Sequence, residues 1–161
     1  MASAHAGHAH GAHAGQSLNR LAFSATVHCL TGCAIGEVLG MIIGTAAGFS
    51  DLGTIALSVA LAFFFGYLLT SLPLLRAGLA LGAVIPLALA SDTLSIATME
   101  IVDNAIMLVI PGAMDAGLDA AKFWLSLAFA LVIAGAIAYP VNRWLLSRGK
   151  GHAVVMEHHA H

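Results

Sequence analysis

Four side chains that could do chemistry recur at every fourth position of one apolar stretch, HCLTGCAIGEVLGMIIG, which begins at His28. They are Cys29, Cys33, Glu37 and Met41. Positions four apart on an α-helix lie one above the other, so the sequence predicts one ridge of two thiols, a carboxylate and a thioether, with His28 beside it. Thiolate, thioether and imidazole ligands suit Cu(I) and, less selectively, Zn(II).

A structural interpretation of the ridge stands beside the metal interpretation. Cysteine and methionine also pack well as adaptable apolar residues, so each of these sulfurs alone is explained by packing. A disulfide is not expected, because successive turns of one helix hold the Cβ vectors of Cys29 and Cys33 nearly parallel. Glu37 resists the packing interpretation, since a carboxylate deep in a membrane span costs about 2.5–3.5 kcal/mol and needs a partner or a function.

A second set of polar and sulfur-bearing side chains lies in SDTLSIATMEIVDNAIM, residues 91–107. Its spacing of 3, 4, 1, 3 and 4 places the set within about 140° of arc on a helix. The set comprises Asp92, Ser95, Met99, Glu100, Asp103 and Met107. One interpretation is that water solvates these acids at the membrane surface. The alternative is a face lining an internal cavity or cation path, where carboxylates relay protons or hold cations. Because Met99 and Met107 add soft ligands to the hard carboxylates, the face resembles a metal route more than a proton-only route.

Histidine-rich tails provide a third group of candidate metal ligands. Short tracts of this kind commonly bind metal, although their composition selects no particular geometry. The candidates at the two ends are His5, His8, His10, His13, His158, His159 and His161. We expect residues 1–19 to be disordered because they are rich in Ala, Gly and His, and residues 149–161 to form a second tail.

The composition assigns the chain to the membrane proteins. Of its 161 residues, 60% are hydrophobic and only 9% are charged, whereas a soluble domain carries roughly a quarter charged residues. The mean hydropathy is +0.93. The formal net charge of −2 and the lack of a basic cluster argue against a nucleic-acid partner.

Four segments are apolar and long enough to cross a bilayer core, which takes about 20 residues of helix. They run over residues 21–49, 52–75, 79–112 and 121–146, and together predict an all-α, four-helix transmembrane bundle within residues 20–148. The third segment is long and contains Pro86, so we expect it to tilt, to kink or to begin as a half-helix.

Basic residues set the predicted orientation. With four spans, five of the six fall on one side, and this favours both termini in the cytoplasm of a bacterial cell and a multi-pass inner-membrane location. These five are Arg20, Arg76, Arg143, Arg148 and Lys150. Splitting the third segment into two spans would place Arg143 and Arg148 outside, so five spans are not expected.

Glycine recurs at every fourth position beside the first ridge. Such a row forms a groove that lets another helix backbone approach closely in lipid. The row consists of Gly32, Gly36, Gly40, Gly44 and Gly48. Its partner is predicted to be either a helix of the same chain or one of another subunit.

The two stretches above and the ending PVNRWLLSRGKGHAVV resemble a bacterial and archaeal family of small membrane proteins, catalogued as domain of unknown function 4396. The likeness covers about residues 20–155. It implies a four-helix membrane domain. Some members are labelled copper-oxidase-like, which hints at copper, but the resemblance implies no activity and no catalytic residues.

Three functions are therefore expected. The first is the handling of a transition metal, foremost Cu(I), with copper as the candidate cofactor and with soft ligands at His28, Cys29, Cys33 and Met41. The methionines and carboxylates of residues 91–107 would then form a path for the metal or a second site. The second is transport of protons or cations through the intramembrane carboxylates, the thiols then being packing residues. The third is a structural or assembly subunit of a membrane complex or homo-oligomer, docked through the glycine groove. An enzyme is disfavoured because familiar catalytic motifs are missing.

Overall fold

A computed structural model describes residues 6–148, with side chains from residue 18 onward, and folds them into four helices. These are α1 (Ala6–Ala47), α2 (Asp51–Arg76), α3 (Leu81–Val109) and α4 (Ala121–Ser147). No strand occurs among these residues, which confirms the all-α fold class. The C-terminal tail and His5 lie outside the described residues, as do the side chains of His8, His10 and His13.

Each of the four helices is long and apolar enough to cross a membrane, as the sequence predicted. In α1 this property belongs to Leu18–Ala47, although the helical backbone already begins at Ala6. The third segment forms one continuous helix of 29 residues that includes Pro86, not a half-helix followed by a span. The count of four candidate spans in the described chain agrees with the rejection of a fifth.

The predicted glycine groove of α1 is filled by α2 of the same chain. A Cβ added to Gly32 would lie 2.7 Å from the Cα atom of Gly66, closer than real side chains approach. Gly36 faces the backbone of Ala62 in the same way, and Gly40 faces Ser58. The α2 partners are themselves small and spaced four apart, so two rows of small residues let the helix backbones touch.

Gly48 differs from the other four glycines, because it ends the helix instead of packing. Its φ angle is +69°, and no atom lies within 4 Å of the position that a Cβ would occupy. The amide groups of Gly48 and Phe49 donate to carbonyl groups of the last turn of α1. Glycine takes this left-handed conformation without the cost that a side chain adds.

Besides α2, helix α1 contacts α4 and, less extensively, α3. At one end, Arg143 of α4 donates from Nε to Oδ1 of Asn19 at 2.7 Å. About two turns further along α1, the buried Asn142 amide donates to Oγ1 of Thr26 at 2.9 Å. These bonds fix α4 against α1, and this leaves the Cys29 ridge of α1 to face α3.

Candidate functional site

The ridge predicted on α1 is buried inside the bundle. Cys29 and Cys33 are each 1% exposed, Glu37 is 0% exposed and Met41 is 5% exposed. Both thiols are free. Helical periodicity places these four side chains along one side of α1. The packing of α1 against the other helices buries that side inside the bundle.

The acidic face predicted on α3 is buried as well. Asp92, Glu100 and Asp103 are at most 4% exposed, and Ser95, Met99 and Met107 are also buried. The interpretation that water solvates these acids at the membrane surface is therefore wrong for this fold. The face lines the interior of the bundle opposite the α1 ridge, and we call the two sets together the column.

The column begins with a histidine, a hydroxyl group and a carboxyl group. Nε2 of His28 lies 3.1 Å from Oγ1 of Thr70 on α2. The Asp92 carboxyl group interacts with Thr70 and lies near His28. It also accepts a bond of 2.8 Å from Oγ of Ser91. The sequence did not single out Thr70, which belongs to the row of small residues on α2.

Thiols and a thioether form the next level of the column. Cys29 lies beside Ser95 and Asp92. The Sγ atom of Cys33 lies 4.0 Å from the Sδ atom of Met99, with both residues buried. Cys33 also contacts the Glu100 carboxyl group, so this level joins sulfur to carboxylate.

The third level is a group of acids. The Glu37 carboxyl group faces that of Asp103, with Glu100 as the next acid. None of the four carboxyl oxygens of Glu37 and Asp103 accepts a bond from a protein donor in the described chain. Two buried carboxylates in contact repel strongly, so this arrangement needs a proton or a cation between them.

Glu100 accepts a hydrogen bond at one of its carboxyl oxygens and lies beside a groove that opens between two helices. The Asn104 amide donates to its backbone oxygen at 2.9 Å and to Oε2 at 3.4 Å. An apolar groove of about 310 Å³ between α2 and α3 reaches both residues, with Phe63 and Ile101 among its lining. The Glu100 side chain thus lies between this groove and the pair formed by Glu37 and Asp103.

The column ends at a cavity beneath the loops that join α1 to α2 and α3 to α4. Met41 and Met107 belong to one apolar cluster just beyond the acidic level. Met41 also lines the cavity, which has a volume of about 270 Å³ and includes Asp51 and Asp115. Acidic side chains at the mouth attract cations and repel anions.

The predicted metal ligands with described side chains all lie in the column, but they are too far apart to form a single metal site. From Cys29 to Met41 the ridge rises about 18 Å along α1, which is far longer than any coordination sphere. Among the residues with described side chains, no group of three or more His, Cys, Asp or Glu is arranged to hold a metal ion. His28 lies beside Thr70 and Asp92 at one end, and Asp103 lies beside Glu37 nearer the other. Two soft ligands do meet, since the sulfur atoms of Cys33 and Met99 lie 4.0 Å apart.

The chain was compared with models of known protein families, with curated proteins and with solved structures. The family described as Domain of unknown function (DUF4396) matches residues 18–151, which include the whole column. No curated protein and no solved structure matches the chain. The family resemblance noted in the sequence is thereby confirmed over more than three quarters of the chain.

Proposed function

The chain belongs to the family described as Domain of unknown function (DUF4396), and from this premise we propose that it is a four-span protein of the bacterial inner membrane that conducts protons through the column. Both termini lie in the cytoplasm in this proposal. The bilayer supplies the surroundings that the exposed apolar side chains need.

The facing pair of Glu37 and Asp103 is the observation that carries the proposal. A carboxylate within a membrane span is costly, and a pair of them doubles the cost unless a proton or cation compensates. A pair kept only for packing would be replaced by apolar residues at no loss of stability. Chains of acids and histidine inside membrane proteins relay protons.

The rest of the column supplies further groups that carry exchangeable protons. At the end of the bundle nearest the chain termini, the column begins with Asp92 and Thr70. The Ser95 hydroxyl and the Cys29 thiol come next, and Cys33 and Glu100 follow them. The pair of Glu37 and Asp103 follows, and the acidic cavity lies beyond Met41. Four acids face this path, and the side chains of the arginines and Lys122 do not reach it in the described contacts.

Proton flux into proteoliposomes tests the proposal. Purified protein is reconstituted with a pH-sensitive dye inside, and a potassium diffusion potential set by valinomycin drives protons across. We expect flux well above that of empty vesicles, and its loss in Glu37→Gln and in Asp103→Asn, since an amide holds no exchangeable acidic proton. Asp119→Asn, which changes an exposed acid in the loop before α4, is the matched control and should retain flux.

Two outcomes would refute proton conduction. One is wild-type flux equal to that of empty vesicles at several protein-to-lipid ratios. The other is unchanged flux in Glu37→Gln, provided that the variant elutes as a single species and keeps its helical circular dichroism. A current that requires Na⁺ and persists at equal pH would instead assign the column to a metal cation.

Cu(I) handling is the second candidate, favoured by the 4.0 Å approach of the Cys33 and Met99 sulfur atoms. Thiolate and thioether are soft ligands that suit Cu(I), and Cys29 lies one turn away. Elemental analysis of protein from copper-supplemented cells should then give stoichiometric copper, lost in the Cys29→Ser, Cys33→Ser double variant. Equal copper in wild type and double variant would exclude this site.

The third expected function is that of a subunit that docks through the glycine groove, and in this fold the groove is not open for docking. The glycine groove proposed as its docking face is occupied by α2 of the same chain from Gly32 to Gly44. Docking through another face is not favoured by any described contact.

A further inference from the structure

A concave apolar groove lies on the outer face of the bundle between α1 and α4, away from the column. It has a volume of about 560 Å³, and its walls carry almost no polar surface. Phe23, Val27 and Leu30 line it from α1, and Val132 and Tyr139 line it from α4. Gly135 and Ala136 also line the groove, and their small size leaves space between the larger side chains of α1 and α4.

The groove extends over about two thirds of the thickness of one half of a bilayer. From Phe23 to Leu30, and from Val132 to Tyr139, it extends about 10 Å along each helix at 1.5 Å per residue. One leaflet of the hydrocarbon core is about 15 Å thick. The groove therefore accommodates an acyl chain that lies along the two helices.

Two arginines stand at the end of the groove that faces the chain termini. Arg20 lies three residues before Phe23 and Arg143 lies four residues after Tyr139, so each shares the helix face of a groove residue. Both are exposed. The bond from Arg143 to Asn19 holds the two helix ends together directly above the groove.

The arginines have no acid near them in the described chain. Glu37, Asp92, Glu100 and Asp103 are in the column. The other described acids lie at the opposite end of the bundle, with Asp51 at the start of α2 and Asp115 and Asp119 in the loop before α4. Within the described part of the chain, this end of the groove therefore carries positive charge that no acid compensates, and an anion would neutralise it.

We propose that this groove is a binding site for an anionic phospholipid, whose acyl chain lies between Phe23 and Tyr139 and whose phosphate lies between Arg20 and Arg143. Arginine binds phosphate through parallel N–H groups, and basic pockets between helices at a membrane surface hold anionic head groups. The site is independent of proton conduction, because it shares no residue with the column.

Native mass spectrometry of the detergent-solubilised full chain tests the site with phosphatidylglycerol and phosphatidylcholine as probes. We expect one phosphatidylglycerol to remain bound at collision energies that remove phosphatidylcholine. The Arg20→Gln, Arg143→Gln double variant should weaken phosphatidylglycerol binding by about tenfold or more, because it removes both charges near the phosphate. Arg76→Gln, at the same end of the bundle but on α2, is the matched control and should bind as wild type does.

A second variant tests the acyl half of the site. Ala136→Trp fills the groove from an exposed position and leaves the core unchanged, so it should fold and lose the bound lipid. Equal retention of the two lipids by wild type would overturn the proposal, as would unchanged phosphatidylglycerol binding in both variants. Lipid-free dimers that Ala136→Trp dissociates would also overturn it and assign the groove to a second copy of the chain.

Discussion

The carboxyl groups of Glu37 on α1 and Asp103 on α3 face each other inside the bundle, and neither accepts a bond from a protein donor in the described chain. Residues 66 positions apart in sequence thus form one acidic pair, with Glu100 beside it. Such a pair has little value for packing, since it is stable only with a proton or cation between its members. This is why we assign function to the column and not to a sulfur site alone.

Glu37→Gln should make the protein more stable while it abolishes flux. The amide of glutamine donates a hydrogen bond to the Asp103 carboxylate and removes one acid, which we expect to add about 1 kcal/mol to the free energy of unfolding. Functional sites often retain such a cost in stability. Unfolding in mixed micelles of increasing SDS content measures the change, and a loss of stability greater than about 1 kcal/mol would show that Glu37 has a structural partner instead.

Gly36→Ala should separate α1 from α2. The added Cβ meets the backbone of Ala62, which has no rotamer with which to move aside, and overpacking of this kind costs between about 1 and 3 kcal/mol. Gly82→Ala near the start of α3 is the control, because nothing lies within 4 Å of the Cβ it would add. The same SDS titration compares the two, and equal stability of both variants would contradict direct contact between the helix backbones.

The buried bond from Asn142 to Thr26 should stabilise the contact between α4 and α1. Asn142→Leu removes the only donor from α4 to Oγ1 of Thr26 in the described structure, and interhelical bonds of this type contribute about 0.6–1.7 kcal/mol in membranes. A double-mutant cycle with Thr26→Val isolates the pairwise term. Thr31→Val, which removes an exposed hydroxyl bonded within its own helix, provides the comparison, and additive effects in the cycle would mean that the bond does not contribute.

The orientation of the helices is testable by cysteine labelling. In a Cys29→Ser, Cys33→Ser background, a membrane-impermeant maleimide added to spheroplasts should label Asp119→Cys but label Ser147→Cys only after permeabilisation. The excess of arginine at the terminal end of the bundle is the physical reason. The reverse pattern would place both termini outside and would contradict the cytoplasmic assignment.

Much of the fold follows from local chemistry. The lengths of the apolar runs define four candidate membrane spans whose ends agree with the predictions within a few residues, because the hydrocarbon thickness of a bilayer sets the length of a span. The ridge on α1 and the acidic face on α3 follow from helical periodicity, which assigns side chains to a face. Periodicity does not predict which helix packs against that face.

Gly48 illustrates the limit of spacing as a signal. It continues the four-residue interval of Gly32 to Gly44, yet it lies one residue beyond α1 with a positive φ angle. Glycine suits both close helix packing and helix termination, so the same letter at the same interval has two physical uses. The complementary row on α2, from Thr54 to Thr70, was readable in the sequence as small residues spaced four apart.

The sequence alone therefore determined that the chain has four membrane-length helices and that two of them carry acids and sulfurs on single faces, since these properties depend on composition and on the 3.6-residue turn. Only the tertiary structure decided that α2 fills the glycine groove, that Cys33 meets Met99 and that Glu37 meets Asp103. Those pairings depend on which helices are neighbours and on their register, and backbone contact between α1 and α2 together with the bonds from α4 to α1 fixes both.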